Sequence, residues 1–111
     1  MTETVIMPGQ NPCEASPLPG RKDDRGKLRM DLIPPEVMEA LAEVLGYGAK
    51  KYAPNNWQRL TDFEDRYYAA ALRHLMAWRK GTGLDSESGL SHLSHALCCL
   101  AFLVWRERQN S

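Results

Sequence analysis

The sequence lacks several features that would assign it to a familiar class of protein. Its longest apolar run, residues 96–105, is too short to span a bilayer, and its first residues carry Glu3 instead of the apolar stretch of a signal peptide. Basic and acidic residues number 14 each, and zero net charge argues against a general DNA-binding or polybasic membrane-binding protein. No Walker loop, dinucleotide-binding glycine motif, nucleophile elbow or zinc-ribbon spacing is present. We therefore expect a cytoplasmic protein that binds neither membranes nor nucleic acid.

Cysteine is also scarce. The three cysteines, Cys13, Cys98 and Cys99, are odd in number and form no C-x-x-C pair, so we interpret them as reduced thiols. The 111 residues, 43% hydrophobic and 25% charged, fit one globular domain. No segment alternates as a strand would, whereas three segments space their apolar residues as helices do. The predicted fold class is all-α, with three main helices in a small bundle.

The first part of the chain differs from the rest. Residues 1–30 combine prolines, glycines and a charge run without hydrophobic periodicity, which predicts an irregular N-terminal arm. Residues 31–108 form the predicted helical domain. Its first helix should start at Pro34–Pro35, since proline is accepted in a first turn, and end near Lys51 before Pro54.

Capping signals delimit the other two helices. The second should start at the Thr61–Glu64 capping box and stop before Gly81. The third should be capped by Asp85 or Ser86 and run to about Arg108.

Apolar stripes predict which faces of the helices form the core. The stripes are Val37, Leu41, Val44 and Leu45 on helix one; Tyr68, Leu72, Leu75 and Met76 on helix two; and Leu90, Leu93, Leu97, Leu100 and Val104 on helix three. Residues 96–105 are apolar almost all round, and such a helix must be buried on several sides. Two neighbouring helices cover it poorly, so we expect a homodimer or tetramer with helix three at the interface.

Histidines and acids concentrate around the turn between helices two and three. His92 and His95 lie three residues apart on one side of helix three, where they can share a metal, supply a general base, or make interface hydrogen bonds. His74 could join them if the two helices pack antiparallel. Asp85 and Glu87 are either caps favoured by the helix dipole or oxygen ligands for a hard metal.

Two further groups have both a functional and a structural interpretation. Glu36, Glu39 and Glu43 form an acidic stripe on helix one, which is either a magnesium site or a solvated outer face. In the segments Lys50–Tyr52 and Asn55–Trp57, lysines can contact phosphates and aromatic rings can stack on a base. The same segments also fit a helix C-terminus with favoured lysines and a tryptophan that fills the core.

Several motifs in a fixed order cover about residues 22–104. They are Gly26–Pro34, Gly48–Tyr52, Asn56–Trp57, Ala71–Leu75, Trp78 and Asp85–Ala96. Together they resemble the phage and prophage family named dATP/dGTP diphosphohydrolase, or pyrophosphohydrolase. The resemblance implies metal-dependent hydrolysis of purine deoxynucleoside triphosphates to monophosphate and pyrophosphate, in the host cytoplasm if the chain is phage-encoded. It also suggests kinship with the all-α MazG-like NTP pyrophosphatases, which are helical oligomers that use magnesium.

The metal site is where the sequence departs from those relatives. They carry an E-x-x-E segment and a later E-x-x-D segment. Here Glu36-x-x-Glu39 matches the first, but His92-x-x-His95 stands where the second is expected. The predicted metal ligands are Asp85, Glu87 and His92, with Glu36, Glu39 and Glu43 as the alternative set. The expected ion is Mg²⁺, with Mn²⁺ or Zn²⁺ as alternatives.

The remaining roles complete the functional hypothesis. The predicted catalytic residues are Glu87, His92 and His95. The predicted substrate-binding residues are Lys50, Lys51, Tyr52, Asn56, Trp57, Arg73, His74 and Trp78. Two other hypotheses stay open: a helical metallohydrolase with histidine and aspartate ligands to zinc or manganese, and a non-catalytic helical phage protein that binds a host factor or sequesters a nucleotide.

Overall fold

The computed structural model describes residues 20–110, and the chain divides into two units after Met30. Most of the predicted arm, including Cys13, lies outside the described residues, and the division into an arm and a helical domain stays a prediction. In the first unit, the Lys27 amide donates to the Asp24 carbonyl at 3.1 Å, which closes a turn. Beside that turn Arg25 forms an exposed ion pair with Asp23.

The described residues form three α-helices, which confirms the all-α class. They are α1 (Pro35–Lys51), α2 (Phe63–Arg79) and α3 (His92–Gln109), with short 3-10 helices at Met30–Leu32 and Asn56–Arg59. Within residues 20–110, the β-type pairing is limited to an isolated bridge between Leu84 and Ser91. No helix in that range has the length and apolar character needed to cross a membrane.

The boundaries of α1 agree with the prediction. Pro34 is extended and Pro35 is the first residue of the helix. A proline is accepted there because the first amides of a helix have no hydrogen-bond partner within it. The helix ends at Lys51, and the Tyr52 amide donates to the Gly48 carbonyl at 2.9 Å. After Pro54, Asn55 adopts a left-handed conformation with φ 65°, which asparagine tolerates, and leads into the second 3-10 helix.

The predicted capping box of α2 is wrong. The helix begins at Phe63, and its N-cap is Asp62, whose side chain makes no capping hydrogen bond. Asp62 has φ 52°, and this left-handed conformation cannot continue an α-helix from Thr61 into Phe63. The end of α2 agrees with prediction, because Gly81 follows with φ 96° and supplies the left-handed residue typical of a helix C-terminus.

The predicted start of α3 at Asp85 or Ser86 is also wrong. The helix begins at His92, and the Ser91 side chain caps it by accepting the Leu93 amide at 3.0 Å. The Asp85 carboxylate instead caps a local turn, since it accepts the amides of Glu87 and Ser88. Gly89, at φ 75°, breaks any helical path between that turn and Ser91.

The α2 and α3 helices form an antiparallel hairpin. At the end near their connection, the His92 amide donates to the Gly83 carbonyl at 2.9 Å. At the far end, Arg106 of α3 lies 3.9 Å from Glu64 of α2. The antiparallel packing places side chains late in α2 beside those early in α3.

The core occupies one side of this hairpin and is covered by α1. Its buried members are Val44, Phe63, Cys98 and Phe102, with Leu41 and Trp57 among the residues packed against them. The indole of Trp57 stacks flat on Phe102, with ring centroids 4.1 Å apart. Cys98 and Cys99 are buried free thiols, as predicted, and burial raises their pKa values to about 12 and about 11.

The predicted core faces of α2 and α3 are wrong in part. In the apolar stripes predicted for these two helices, the residues that are more than 40% exposed are Tyr68, Leu72, Met76, Leu93, Leu100 and Val104. Small residues outside those stripes are buried instead: Ala71 and Ala96 are only 3% and 1% exposed. Periodicity pointed to the larger apolar residues, but small residues allow two helix axes to approach more closely.

Candidate active site

The hairpin holds three potential ligand atoms within 4.8 Å of one another, from His74, Asp85 and His92. His74 lies on α2, Asp85 in the connecting loop, and His92 is the first residue of α3. The Nδ1 atoms of the two histidines are 2.9 Å apart. His92 is only 9% exposed, so this group lies at the border between core and solvent. We call these three residues the metal-ligand group.

Backbone geometry fixes the carboxylate of this group. Asp85 Oδ2 accepts the Glu87 amide at 3.1 Å and the Ser88 amide at 2.9 Å. The Asp85 amide donates to the Leu90 carbonyl at 2.8 Å, which closes the loop beneath it. Desolvation alone would raise the pKa of Asp85, but the hydrogen bonds from Ser88 and the nearby His95 hold it below its ordinary value. Asp85 is therefore an ionised, oriented carboxylate at neutral pH.

His95 lies directly beside the metal-ligand group. Its ring stacks on that of His74, with centroids 4.6 Å apart and planes 13° apart. Its Nε2 atom is 2.7 Å from Ser88 Oγ, and the same hydroxyl oxygen accepts the Leu90 amide. Burial lowers the pKa of His95, and burial together with His95 and His92 lowers that of His74. Both imidazoles are thus kept neutral at pH 7, as a ligand or a base requires.

Glu87 belongs to a different contact. Its carboxylate forms an ion pair with Lys51 at the end of α1. Lys51, and then a hydrogen bond from Tyr47, hold the pKa of Glu87 below its ordinary value. The pKa of Lys51 is raised by the same pair. This contact connects the end of α1 to the loop that carries Asp85.

An open cleft of about 1070 Å³ lies between α1, the α1–α2 connection, and α2 and α3. The residues that line it include the aromatic Tyr47 and Tyr52 and the basic Arg66 and Arg73. His95 also lines the cleft, whereas the three members of the metal-ligand group do not. Because His95 stacks on His74, it is the side chain that joins the cleft to the metal-ligand group.

The predicted site residues therefore fall into separate places. Of the metal ligands, Asp85 and His92 come together, and His74 joins them as the antiparallel hairpin predicted. Glu36, Glu39 and Glu43 are exposed on α1. The predicted substrate residues that line the cleft are Tyr52, Asn56, Trp57 and Arg73. Those that lie outside its lining are Lys50, Lys51, His74 and Trp78.

The structure adds residues that the sequence did not single out. Ser88 contacts His95 and also donates its amide to Asp85. The Tyr47 hydroxyl donates a hydrogen bond to the Glu87 carboxylate. The Tyr47 ring packs edge-on against His95, with ring centroids 6.3 Å apart. The Asp-x-x-Ser pattern from Asp85 to Ser88 is a local turn signal that could have predicted the first of these. No comparable local pattern marks Tyr47.

Fold and site together define a small all-α domain with an imidazole–carboxylate group beside an open cleft. The chain belongs to the family described as dATP/dGTP diphosphohydrolase, N-terminal, whose profile matches residues 17–111. This confirms the resemblance found in the sequence.

A curated relative also matches the chain. It is a protein from Salmonella phage PMBT28 named dATP/dGTP diphosphohydrolase, 40% identical over 86 residues. The match covers 78% of this chain but 29% of the relative, so the chain spans less than a third of that protein's length. No solved structure matches the chain significantly.

Proposed function

We propose that this domain hydrolyses purine deoxynucleoside triphosphates, dATP and dGTP, to the monophosphate and pyrophosphate with the help of a divalent metal. The family and the name of the phage relative support the substrate class. The observation that carries the proposal is the position of His95, which lines the cleft and stacks on a ligand of the metal-ligand group. A nucleotide in the cleft would thus meet a base whose ring adjoins the metal-ligand group.

The donor set of His74, Asp85 and His92 fits a divalent ion. Its atoms converge within 4.8 Å, and backbone hydrogen bonds orient its carboxylate. A bound ion would polarise the phosphoryl oxygens and neutralise the charge that develops during phosphoryl transfer.

His95 is the proposed general base. Its Nε2–H would donate to Ser88 Oγ, which leaves Nδ1 to take a proton from water as that water attacks the α-phosphorus. The new bond joins the water oxygen to phosphorus, and the bond to the bridging oxygen breaks to release pyrophosphate. Glu87 is a weaker choice, because its pairing with Lys51 and its lowered pKa make the carboxylate a poor base.

Arg73 and Tyr52 are the proposed substrate contacts in the cleft. Arg73 lines the same cleft as His95, and its guanidinium suits phosphate oxygens. Tyr52 is 63% exposed and can offer a ring face to a purine. Trp57 is less suited to stacking, since one face of its indole packs on Phe102.

A product assay tests this function. The chain is incubated with each dNTP and NTP, with divalent metal or with EDTA, and the products are separated by ion-exchange chromatography. We expect monophosphate and pyrophosphate from dATP and dGTP in the presence of metal. His95→Gln should lower turnover by about 10²–10⁴-fold, whereas the exposed Glu107→Gln should leave it unchanged.

Two outcomes would contradict the proposal. If a well-folded chain turns over no nucleotide, the non-catalytic alternative of nucleotide sequestration or partner binding becomes the better account. Full activity of His95→Gln would instead place the chemistry elsewhere.

We also propose that the chain forms a homo-oligomer through the α2–α3 hairpin. At about 100° per residue, Tyr68, Leu72 and Met76 share one flank of α2. Leu93, Leu100 and Val104 share the matching flank of α3. The side chains of both flanks are more than 40% exposed, so each helix leaves apolar surface uncovered. An apolar face of this kind supports pairing with a second copy about a two-fold axis.

Sedimentation analysis tests the assembly. We expect the wild type to be a dimer or a higher symmetric oligomer, and Leu100→Glu to be a folded monomer. Leu28→Glu is the control, since Leu28 is 84% exposed and lies in the first unit. A wild type that stays monomeric at high concentration contradicts this part of the proposal.

A further inference from the structure

The metal-ligand group differs chemically from a magnesium site. Magnesium prefers oxygen ligands, keeps several waters and demands octahedral geometry. The group offers two imidazole nitrogens and one carboxylate from His74, His92 and Asp85. Imidazole suits ions of the zinc, cobalt and iron class, and two histidines with one carboxylate recur at their catalytic sites.

We infer that this group binds a nitrogen-preferring divalent transition ion, of which Zn²⁺ and Co²⁺ are the probes, in preference to Mg²⁺. The inference deepens the proposed function, which needs a divalent ion, but it concerns binding and can be tested without turnover.

The distance between the two imidazoles supports the inference. Their Nδ1 atoms are 2.9 Å apart. Two nitrogens bound to one zinc ion at about 2.0–2.1 Å lie roughly 2.9–3.4 Å from each other for angles between 90° and 109°. The two ring nitrogens are thus already near the spacing of neighbouring ligands on one ion.

The surroundings of the group hold its ligands in place. The backbone amides of Glu87 and Ser88 both donate to Oδ2 of Asp85. The Oδ1 atom can therefore approach an ion while these hydrogen bonds persist. Ser91 caps α3 and thereby fixes His92 at the first helical position. Such outer contacts orient metal ligands and typically change affinity by about 10–100-fold when removed.

Metal titration of the metal-free chain tests the inference. The probes are Co²⁺, followed through its visible absorption, and Zn²⁺ and Mg²⁺, followed by calorimetry and by competition with bound Co²⁺. We expect one Co²⁺ per chain, displacement by Zn²⁺, and an affinity for Zn²⁺ at least about 100-fold above that for Mg²⁺.

Variants decide which side chains bind the ion. His74→Ala and His92→Ala should each weaken Co²⁺ binding by more than about 100-fold. His95→Gln should weaken Co²⁺ binding by less than His74→Ala does, within about 10–100-fold, because His95 stacks on the group without belonging to it. Circular dichroism checks that each variant keeps its helices, and the wild-type ranking of ions stands even if a variant fails to fold.

The inference is overturned if Mg²⁺ binds as tightly as Zn²⁺, if no ion binds the folded chain, or if His95→Gln loses Co²⁺ as fully as His74→Ala. None of these outcomes decides nucleotide turnover, which the product assay measures separately. Conversely, tight Zn²⁺ binding without turnover would keep the metal site and reject the proposed reaction.

Discussion

The two ends of the α2–α3 hairpin differ in what fills the space between the same two helices. One end, far from their connection, is aromatic: Trp57, Phe63, Tyr67, Phe102 and Trp105. The other, near the connection, is polar: His74, Asp85, Ser88, His92 and His95. We call them the aromatic end and the histidine end. The first makes stacked and edge-on ring contacts that exclude water, and the second holds its groups by a hydrogen-bonded loop.

This difference indicates that the aromatic end mainly stabilises the fold and the histidine end mainly carries chemistry. Burial of large rings supplies much of the stability of a small domain. Polar groups near the surface contribute little net stability but can bind ions and move protons. We therefore expect substitutions at the aromatic end to change the free energy of unfolding, and those at the histidine end to change chemistry.

The largest loss of stability is expected from Phe63→Ala. Phe63 is 2% exposed and its ring lies between Tyr67 and the Arg106 guanidinium, 4.8 Å and 4.0 Å away. The truncation should lower the free energy of unfolding by about 3–5 kcal/mol, as measured by urea denaturation. The exposed control Leu28→Ala should change it by less than about 0.5 kcal/mol. Equal effects of the two changes would remove the special role of the aromatic end.

A smaller loss is expected from His74→Leu in the metal-free chain. The leucine keeps apolar contact, but the His92 nitrogen loses its partner, which should cost about 1–2 kcal/mol. The same urea experiment measures it. A loss as large as that of Phe63→Ala would show that the histidine end is also a main source of stability.

The metal-free chain should lose stability as the pH falls. Because the pKa values of His74 and His95 are lowered on folding, the unfolded chain takes up protons at higher pH than the folded chain does. The histidine contribution is full above the unfolded pKa of about 6.5, falls as the pH drops from there toward the lowered folded values, and levels off below them. Thermal melts across this range measure the effect, and a His74→Leu, His95→Gln double variant should flatten it. A melting temperature that rises on acidification would contradict the assignment.

The smallest effect is expected from Glu87→Gln. The Lys51–Glu87 pair is exposed, and because solvent screens such pairs, it contributes little to the free energy of unfolding. Turnover should fall by less than about tenfold if Glu87 only helps to hold the loop, in contrast to His95→Gln. Initial-rate measurements on the two variants make this comparison. A loss in Glu87→Gln that equals that of His95→Gln would restore Glu87 as the catalytic base.

The sequence predicted the ends of elements where one residue type dictates the backbone. Proline at the start of α1 and Gly81 after α2 are such residues. It failed where one side chain could serve two local structures. Asp85 fits a helix cap as well as it fits the turn that it forms, and the choice depends on the bridge from Leu84 to Ser91. Periodicity alone did not reveal that small residues are buried on α2 and α3.

The candidate site, like the ends of the helices, could be predicted from the sequence only in part. Three histidines near one turn are visible in the sequence, and an antiparallel hairpin brings His74 to His92. The pairing of Glu87 with Lys51 depends on how α1 packs beside the loop, a long-range contact that no local pattern encodes. The same holds for Trp57, whose stacking on Phe102 was one of two interpretations of its segment.

A crystal structure of the chain with Co²⁺ and a non-hydrolysable dATP analogue would test the central claim most directly. We predict anomalous scattering from an ion bound to His74, Asp85 and His92, with the nucleotide in the cleft and its phosphates near His95 and Arg73. An ion held by Glu36, Glu39 and Glu43, or a nucleotide bound outside the cleft, would contradict the account.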